Sequence, residues 1–237
     1  MTRRLPRRTV LASLVAIPAS AMLLSACSDS SGQAEAQTPD TAPTASTPAA
    51  NAPQPAGTVD MTKLLEEGSL PEKVLGDADA PVTIVEYASM TCGHCASFHN
   101  NTLPEIKKNY IDTGKARLIM REFPFDPRAE AGFMLARCSD DKYFAMVDVL
   151  FKQQQSWAGV QDAQAALLQI ARLAGFSQES FEACLTDQKL LDDVRSVRTR
   201  GANDFGVDAT PTFFINGNKY SGAMSVAEMS AVIDSMV

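Results

Sequence analysis

The sequence predicts an α/β fold, a small sheet interrupted once by an all-helical block, and three observations carry that prediction. The β-branched run Pro81-Val82-Thr83-Ile84-Val85 reads as a buried strand. It leads straight into Cys92-Gly93-His94-Cys95, after which Phe98, Leu103 and Ile106 fall at helical spacing. From Pro127 to Phe205 no strand pattern is visible, only apolar residues three and four apart. Beyond that block, Thr212–Asn216 and Lys219–Ser221 read as two strands joined by the turn Asn216-Gly217-Asn218, and a helix closes the chain.

Taken in order, residues 1–27 have the layout of an export signal. Arg3, Arg4, Arg7 and Arg8 form a basic start, and Thr9 to Leu24 supply an apolar run that is short for a membrane span and interrupted by Pro18. The run ends in Leu24-Ser25-Ala26-Cys27, which resembles the lipobox of bacterial lipoproteins, a family in which the cysteine is lipidated and becomes the mature N-terminus. Ala19-Ser20-Ala21 offers a rival cut for an ordinary signal peptidase, and an uncleaved anchor is the third reading. Arg7-Arg8-Thr9-Val10-Leu11 resembles a twin-arginine signal, so either export route is open. Residues 28–59 are dominated by Ser, Thr, Ala, Pro and Gln without hydrophobic periodicity, the composition of a disordered linker. Such a linker averages about 30 Å end to end and stretches to roughly 100 Å.

The folded part begins at residue 60. Asp60 to Lys73 is a short amphipathic piece carrying Met61, Leu64, Leu65 and Leu70, expected over the sheet edge. The strand Val82–Ala88, the helix to about Tyr110 and a strand over Ala116–Phe123 form a strand–helix–strand unit, so the two strands should be parallel and the crossover right-handed. The helical block covers 127–205. Asp126 before Pro127 starts it, and its helices are expected over Ala129–Cys138, Tyr143–Gln154, Gln161–Ala174, Gln178–Leu185 and Leu190–Phe205. The sheet resumes over 206–237, ending in a helix over Ser225–Met236 with Ser225 and Glu228 as a capping box. The sheet domain is therefore split into 60–126 and 206–237.

With 237 residues and 45% hydrophobic content, the chain can bury one good core with appendages. Removing residues 1–59 takes away four arginines and three acids, leaving 17 basic against 25 acidic side chains, net −8. An acidic domain without a basic stripe, and with a single Trp, argues against nucleic acid as a partner.

The chemistry sits at the strand–helix junction. A cysteine at a helix start meets unpaired backbone N–H groups, which favour thiolate over thiol, the reactive species. That makes Cys92 the nucleophile, with His94, when protonated, a positive charge beside it. Zinc or copper held by Cys92, Cys95 and His99 is the rival reading. His94 is locked between the cysteines, and no second Cys or His pair lies nearby to close a tetrahedron. A purely structural Cys92–Cys95 disulfide would close too short a loop to stabilise the chain much.

Gly76-Asp77-Ala78-Asp79-Ala80-Pro81-Val82-Thr83-Ile84-Val85-Glu86-Tyr87, the Cys92-Gly93-His94-Cys95 motif and Thr210-Pro211-Thr212-Phe213-Phe214-Ile215-Asn216-Gly217 together resemble the DsbA family. The resemblance implies a thioredoxin fold interrupted by an inserted all-helical domain that forms a lid over one side of the site. It implies a thiol:disulfide oxidoreductase whose redox-active Cys92–Cys95 pair serves in place of a cofactor. Pro211 matches the family's cis-proline, leaving the Thr210 backbone to pair with an extended substrate; the alternative is a trans proline opening an edge strand. Glu86 matches the family's acidic residue on the first strand, a proton relay or tuner of Cys95, although strand-end acids are commonly solvated. Gly93 and His94 make a Gly-His dipeptide like that of protein disulfide isomerases, whereas the enterobacterial enzyme has Pro-His.

Cys138 and Cys184 remain, each on an expected helix of the insert. They are either two buried free thiols or, in an oxidising compartment, a disulfide like that of some DsbA-like proteins. Such a bridge would close about 45 residues, worth roughly 3–4 kcal/mol. The expected function is oxidation of exported proteins with free cysteines on the periplasmic side of the cell envelope. The protein would be lipid-anchored at Cys27 and reoxidised by a DsbB-like membrane partner. A reductase or isomerase using the same site is the alternative.

Overall fold

The computed structural model describes residues 52–237. The lipobox with Cys27, the export signal and nearly all of the expected linker lie outside them.

Six strands form one sheet in the order β1-β6-β5-β3-β4-β2. β3 (Val82–Ala88) and β4 (Ala116–Glu122) are its parallel centre, and every residue of β3 is buried. That explains an apolar, β-branched run in place of an alternating one. β5 (Thr212–Ile215) lies antiparallel on the other side of β3, followed by β6 (Asn218–Ser221). Asn216 and Gly217 both have positive φ, 45° and 88°, as a tight hairpin turn matching the strand twist requires.

Two short edge strands add to the expected four. β1 (Gly57–Thr58) pairs with β6, inside the stretch whose composition reads as linker, and β2 (Lys73–Leu75) pairs with β4. At two and three residues they are too short to carry a periodicity. The amphipathic piece shortens to α1 (Met61–Leu64), capped by Asp60; Gly68 and Pro71 keep the rest irregular.

The helix after the cysteine pair, α2, spans 93–111 but is not uniformly α. It starts as Gly93–Ser97, opens into a π turn at Phe98–Thr102, resumes at Leu103–Ile106 and ends in a second π turn at Lys107–Ile111. Pro104 has no N–H for the carbonyl four residues back, and its ring crowds that carbonyl, so the ladder loosens just before it.

The block between β4 and β5 holds α3 (Pro127–Arg137), α4 (Tyr143–Lys152), α5 (Gln154–Trp157), α6 (Ala163–Leu173), α7 (Gln178–Thr186) and α8 (Gln188–Phe205). α9 (Val226–Asp234) closes the chain, with Ser225 and Glu228 in a reciprocal capping box. The block shares its core with the sheet: Phe133, Phe151, Trp157 and Phe181 pack in one cluster with Ala88, Met90, Cys95 and Met120. The two approach closely at Gly132 of α3, where a Cβ would lie 3.1 Å from the Met90 side chain, and at Gly201 of α8, where one would lie 2.6 Å from the Tyr87 ring. Cys138 and Cys184 are joined sulfur to sulfur with Cα atoms 6.2 Å apart, tying the end of α3 to α7. Among the described residues no helix is long and apolar enough to cross a membrane.

Candidate active site

Cys92 is the N-cap of α2, at the end of the loop leaving β3. Its thiol is free, half-buried, and donates to the Thr210 carbonyl at 3.3 Å. The hydrogen bond from the Cys95 thiol is the largest influence lowering the Cys92 pKa; burial works against it. The Thr210 hydroxyl and the backbone N–H groups of Cys95 and His94 add to the lowering, which brings the pKa to about 5. His94 thus acts through its amide, and its ring is exposed to solvent. Gly93 is exposed too, with nothing within 4 Å of where a Cβ would stand, so close packing does not demand glycine there.

Cys95 is the opposite case. It is fully buried and free, and its pKa is pushed far up by burial first, then by its hydrogen bond to Cys92 and the nearby Glu86 charge. One sulfur is therefore an anion at neutral pH while its neighbour keeps its proton, a pairing set by environment alone.

Glu86 is completely buried on β3, and both its oxygens face His99 Nε2, at 3.1 and 3.0 Å. His99 lies four residues after Cys95, a spacing that puts two residues on one helix face. That spacing was the available signal for a residue weighed only as a metal ligand. With its Nε2 turned to Glu86, His99 is not aimed at the two sulfurs. Among the described residues no group of three His, Cys, Asp or Glu side chains is placed to hold a metal ion.

The Thr210–Pro211 peptide bond is cis, and Thr210 meets Cys92 across the site. The Thr210 hydroxyl is buried without a hydrogen-bond partner among the described residues. It is the donor free to turn to the sulfur once the Cys92 proton has left. A hydrogen bond to a charged group contributes about 1.5–3 kcal/mol, and one pKa unit is about 1.4 kcal/mol. Thr210→Val should therefore raise the Cys92 pKa by about one to two units, read from the pH profile of Cys92 alkylation.

The helical block also supplies a residue that sequence reasoning missed. Gln154, at the start of α5 and 4% exposed, donates through Nε2 to the carbonyls of Met90 at 2.9 Å and Cys92 at 3.0 Å. Thr91 is bonded to Asp126, the residue that caps α3. Both ties hold the cysteine loop to the block. Gln154→Ala strands two carbonyls and should cost about 2–4 kcal/mol in urea unfolding.

A family model described as Thioredoxin matches residues 69–235. The chain is 33% identical over 171 residues to a Rickettsia bellii protein named "Putative protein-disulfide oxidoreductase", covering 70% of this chain and 64% of that one. It is similar to "Probable disulfide bond formation protein D" of Bacillus anthracis, 29% identical over 62% of this chain and 70% of that one. The crystal structure of alpha-DsbA1 from Wolbachia pipientis superposes with a TM-score of 0.69 at 36% identity, over 75% of this chain and 96% of that one. BdbD from Bacillus subtilis, at 20% identity and a TM-score of 0.63 over 78% of this chain and 98% of that one, shares the fold. The chain spans 64% and 59% of the length of the Rickettsia bellii and Rickettsia felis relatives.

Proposed function

The chain belongs to the DsbA-like protein-disulfide oxidoreductases of the thioredoxin superfamily, and from that premise we propose that it introduces disulfides into exported proteins on the periplasmic side of the cell envelope. The observation that carries this reading is the split between the two sulfurs, Cys92 held at about 5 and Cys95 pushed far up. In the oxidised enzyme a substrate thiolate attacks the Cys92 sulfur and the Cys92–Cys95 bond breaks. Cys95 leaves as a thiolate and takes up a proton. The substrate's second thiolate then attacks its partner sulfur, the mixed disulfide breaks, and Cys92 departs as a stable anion. Two electrons pass from substrate to enzyme; of the two substrate protons, one ends on Cys95 and one in water. A stabilised leaving thiolate makes the couple more oxidising.

Glu86 exchanges the Cys95 proton, and Thr210 beside Pro211 offers its backbone to an extended substrate segment. The Cys138–Cys184 bond steadies the insert, and Cys27 carries a lipid that keeps the enzyme at a membrane, within reach of a DsbB-like oxidant.

The direction is tested by the Cys92–Cys95 reduction potential against glutathione. A value well above the about −270 mV of thioredoxin supports an oxidase, and one near it moves the reading to a reductase. Cys95→Ser should accumulate proteins disulfide-linked to Cys92 in the envelope, detected on non-reducing gels; failure to do so would count against redox catalysis.

A further inference from the structure

We propose that His99 is the positioning residue that carries protons between Glu86 and a solvent cleft behind the active-site helix. The inference rests on the redox reading above and adds a route that the buried cysteine otherwise lacks. Cys95 is 0% exposed, as is Glu86, so neither exchanges a proton with water directly. Among the described residues, His99 Nε2 is the one polar group within hydrogen-bond distance of the Glu86 carboxylate. The ring is 4% exposed, stacked on Phe151 of α4 at 4.4 Å and edge-on to Phe98. It also lines a cleft of about 300 Å³ between α2 and α4 that neither Cys92 nor Cys95 lines. The rim of that cleft carries Lys107, Asp148 and Lys152, whose side chains are 43%, 48% and 60% exposed. The π turn at Phe98–Thr102 contains His99, and such bulges recur where a helix must aim a functional side chain.

Imidazole suits this task because it accepts a proton on one nitrogen while releasing one from the other. When Cys95 leaves as a thiolate, His99 Nε2–H protonates the Glu86 carboxylate while Nδ1 takes up a proton from water in the cleft. The carboxyl so formed gives its proton to Cys95 and returns to a carboxylate, leaving the ring as its other tautomer. No electrons move along this route. In the reverse direction the same steps empty Cys95 before it attacks the Cys92 sulfur. The charged and titratable groups around the Glu86–His99 pair are Cys95 and Lys107 on α2, Glu122 on β4, and Tyr143, Asp148 and Lys152 on α4. Tyr143 feels the charge of both Glu122 and Glu86.

The test uses the reduced enzyme and the aromatic disulfide DTNB in stopped flow. Cys92 attacks first and releases one coloured thiolate; Cys95 then attacks the Cys92 sulfur and releases the second, which requires its own deprotonation. His99→Ala should leave the first phase unchanged and slow the second about tenfold or more at neutral pH, the lower end of general acid–base effects. Added imidazole, which fits the cleft, should restore it. His99→Gln, which keeps a donor to Glu86 but cannot pass a proton from one side-chain nitrogen to another, should be equally slow. The inference is overturned if the second phase of both variants matches the wild type, or if it slows in His99→Ala without imidazole rescue. A wild-type first phase no faster than that of an ordinary thiol would instead sink the redox reading itself.

Discussion

Reduced protein should be alkylated at Cys92 with a pH midpoint near 5, and the rate should be flat from about pH 6 upward where a free cysteine is still gaining. The cause is local. The Cys95 thiol and two amides of the first turn of α2 point hydrogens at one sulfur, and the Thr210 hydroxyl is free to turn to it. Against an ordinary value of about 9, a pKa of about 5 makes the reduced state roughly 100-fold more favourable at pH 7. At 29.6 mV per tenfold for a two-electron couple, that raises the potential by about 60 mV. The potential should fall by about 30 mV per pH unit above pH 5, where one proton accompanies two electrons, and by about 59 mV per unit below it, where two do. Stability follows with a definite sign. The folded pKa lies below the unfolded one, so the unfolded chain binds more protons between about pH 5 and 9. The reduced form gains stability as pH rises through that window and loses the contribution as pH falls through 5. Thermal midpoints of the reduced and oxidised protein, measured across this range, check it. Cys92→Ala should abolish disulfide transfer altogether, because no other free sulfur is exposed among the described residues.

How much of this was legible depends on the range of the interactions. β3, the cysteine pair and the helix behind it stand out because a strand buried on both faces must be apolar along its length, and Val82–Ala88 is, except at Thr83 and Glu86. The hairpin at Asn216-Gly217 and the caps at Asp126 and Ser225 are written in adjacent residues and appear where expected. Apart from the two short edge strands, the misses are partners far apart in sequence. Gln154 reads as the polar tail of a helix over Tyr143–Gln154; instead the chain breaks at Gln153, and Gln154 turns inward to carbonyls more than 60 residues away. Glu86 read equally well as a solvated strand-end acid, because nothing local announces that His99 covers it. A buried polar residue looks like an exposed one until its partner is placed.

The same blindness hid the pair expected to matter most for stability. Arg137→Met should destabilise the protein by about 3–5 kcal/mol, because it leaves the Glu122 carboxylate buried without its cation. Glu122 ends β4 opposite Ala88 and is 0% exposed. Its Oε1 receives Arg137 Nε and Nη2, each at 2.6 Å, and the Tyr143 hydroxyl at 3.2 Å; Oε2 has no partner among the described residues. Arg137 also donates to the Pro71 carbonyl at 2.6 Å and lies over the Tyr143 ring. The pair therefore fastens α3 to the strand beside the one that presents Cys92. Taking two charges out of water is costly, so the pair as a whole need not add stability, whereas half of it is worse than none. The double variant Glu122→Leu with Arg137→Met should accordingly recover most of the loss in urea unfolding, a non-additivity that a double-mutant cycle measures directly. Lys189→Ala, which breaks a pair whose lysine is 83% exposed, should leave the unfolding midpoint where it was. If Arg137→Met behaves like Lys189→Ala, Glu122 is not the buried anion that its surroundings describe.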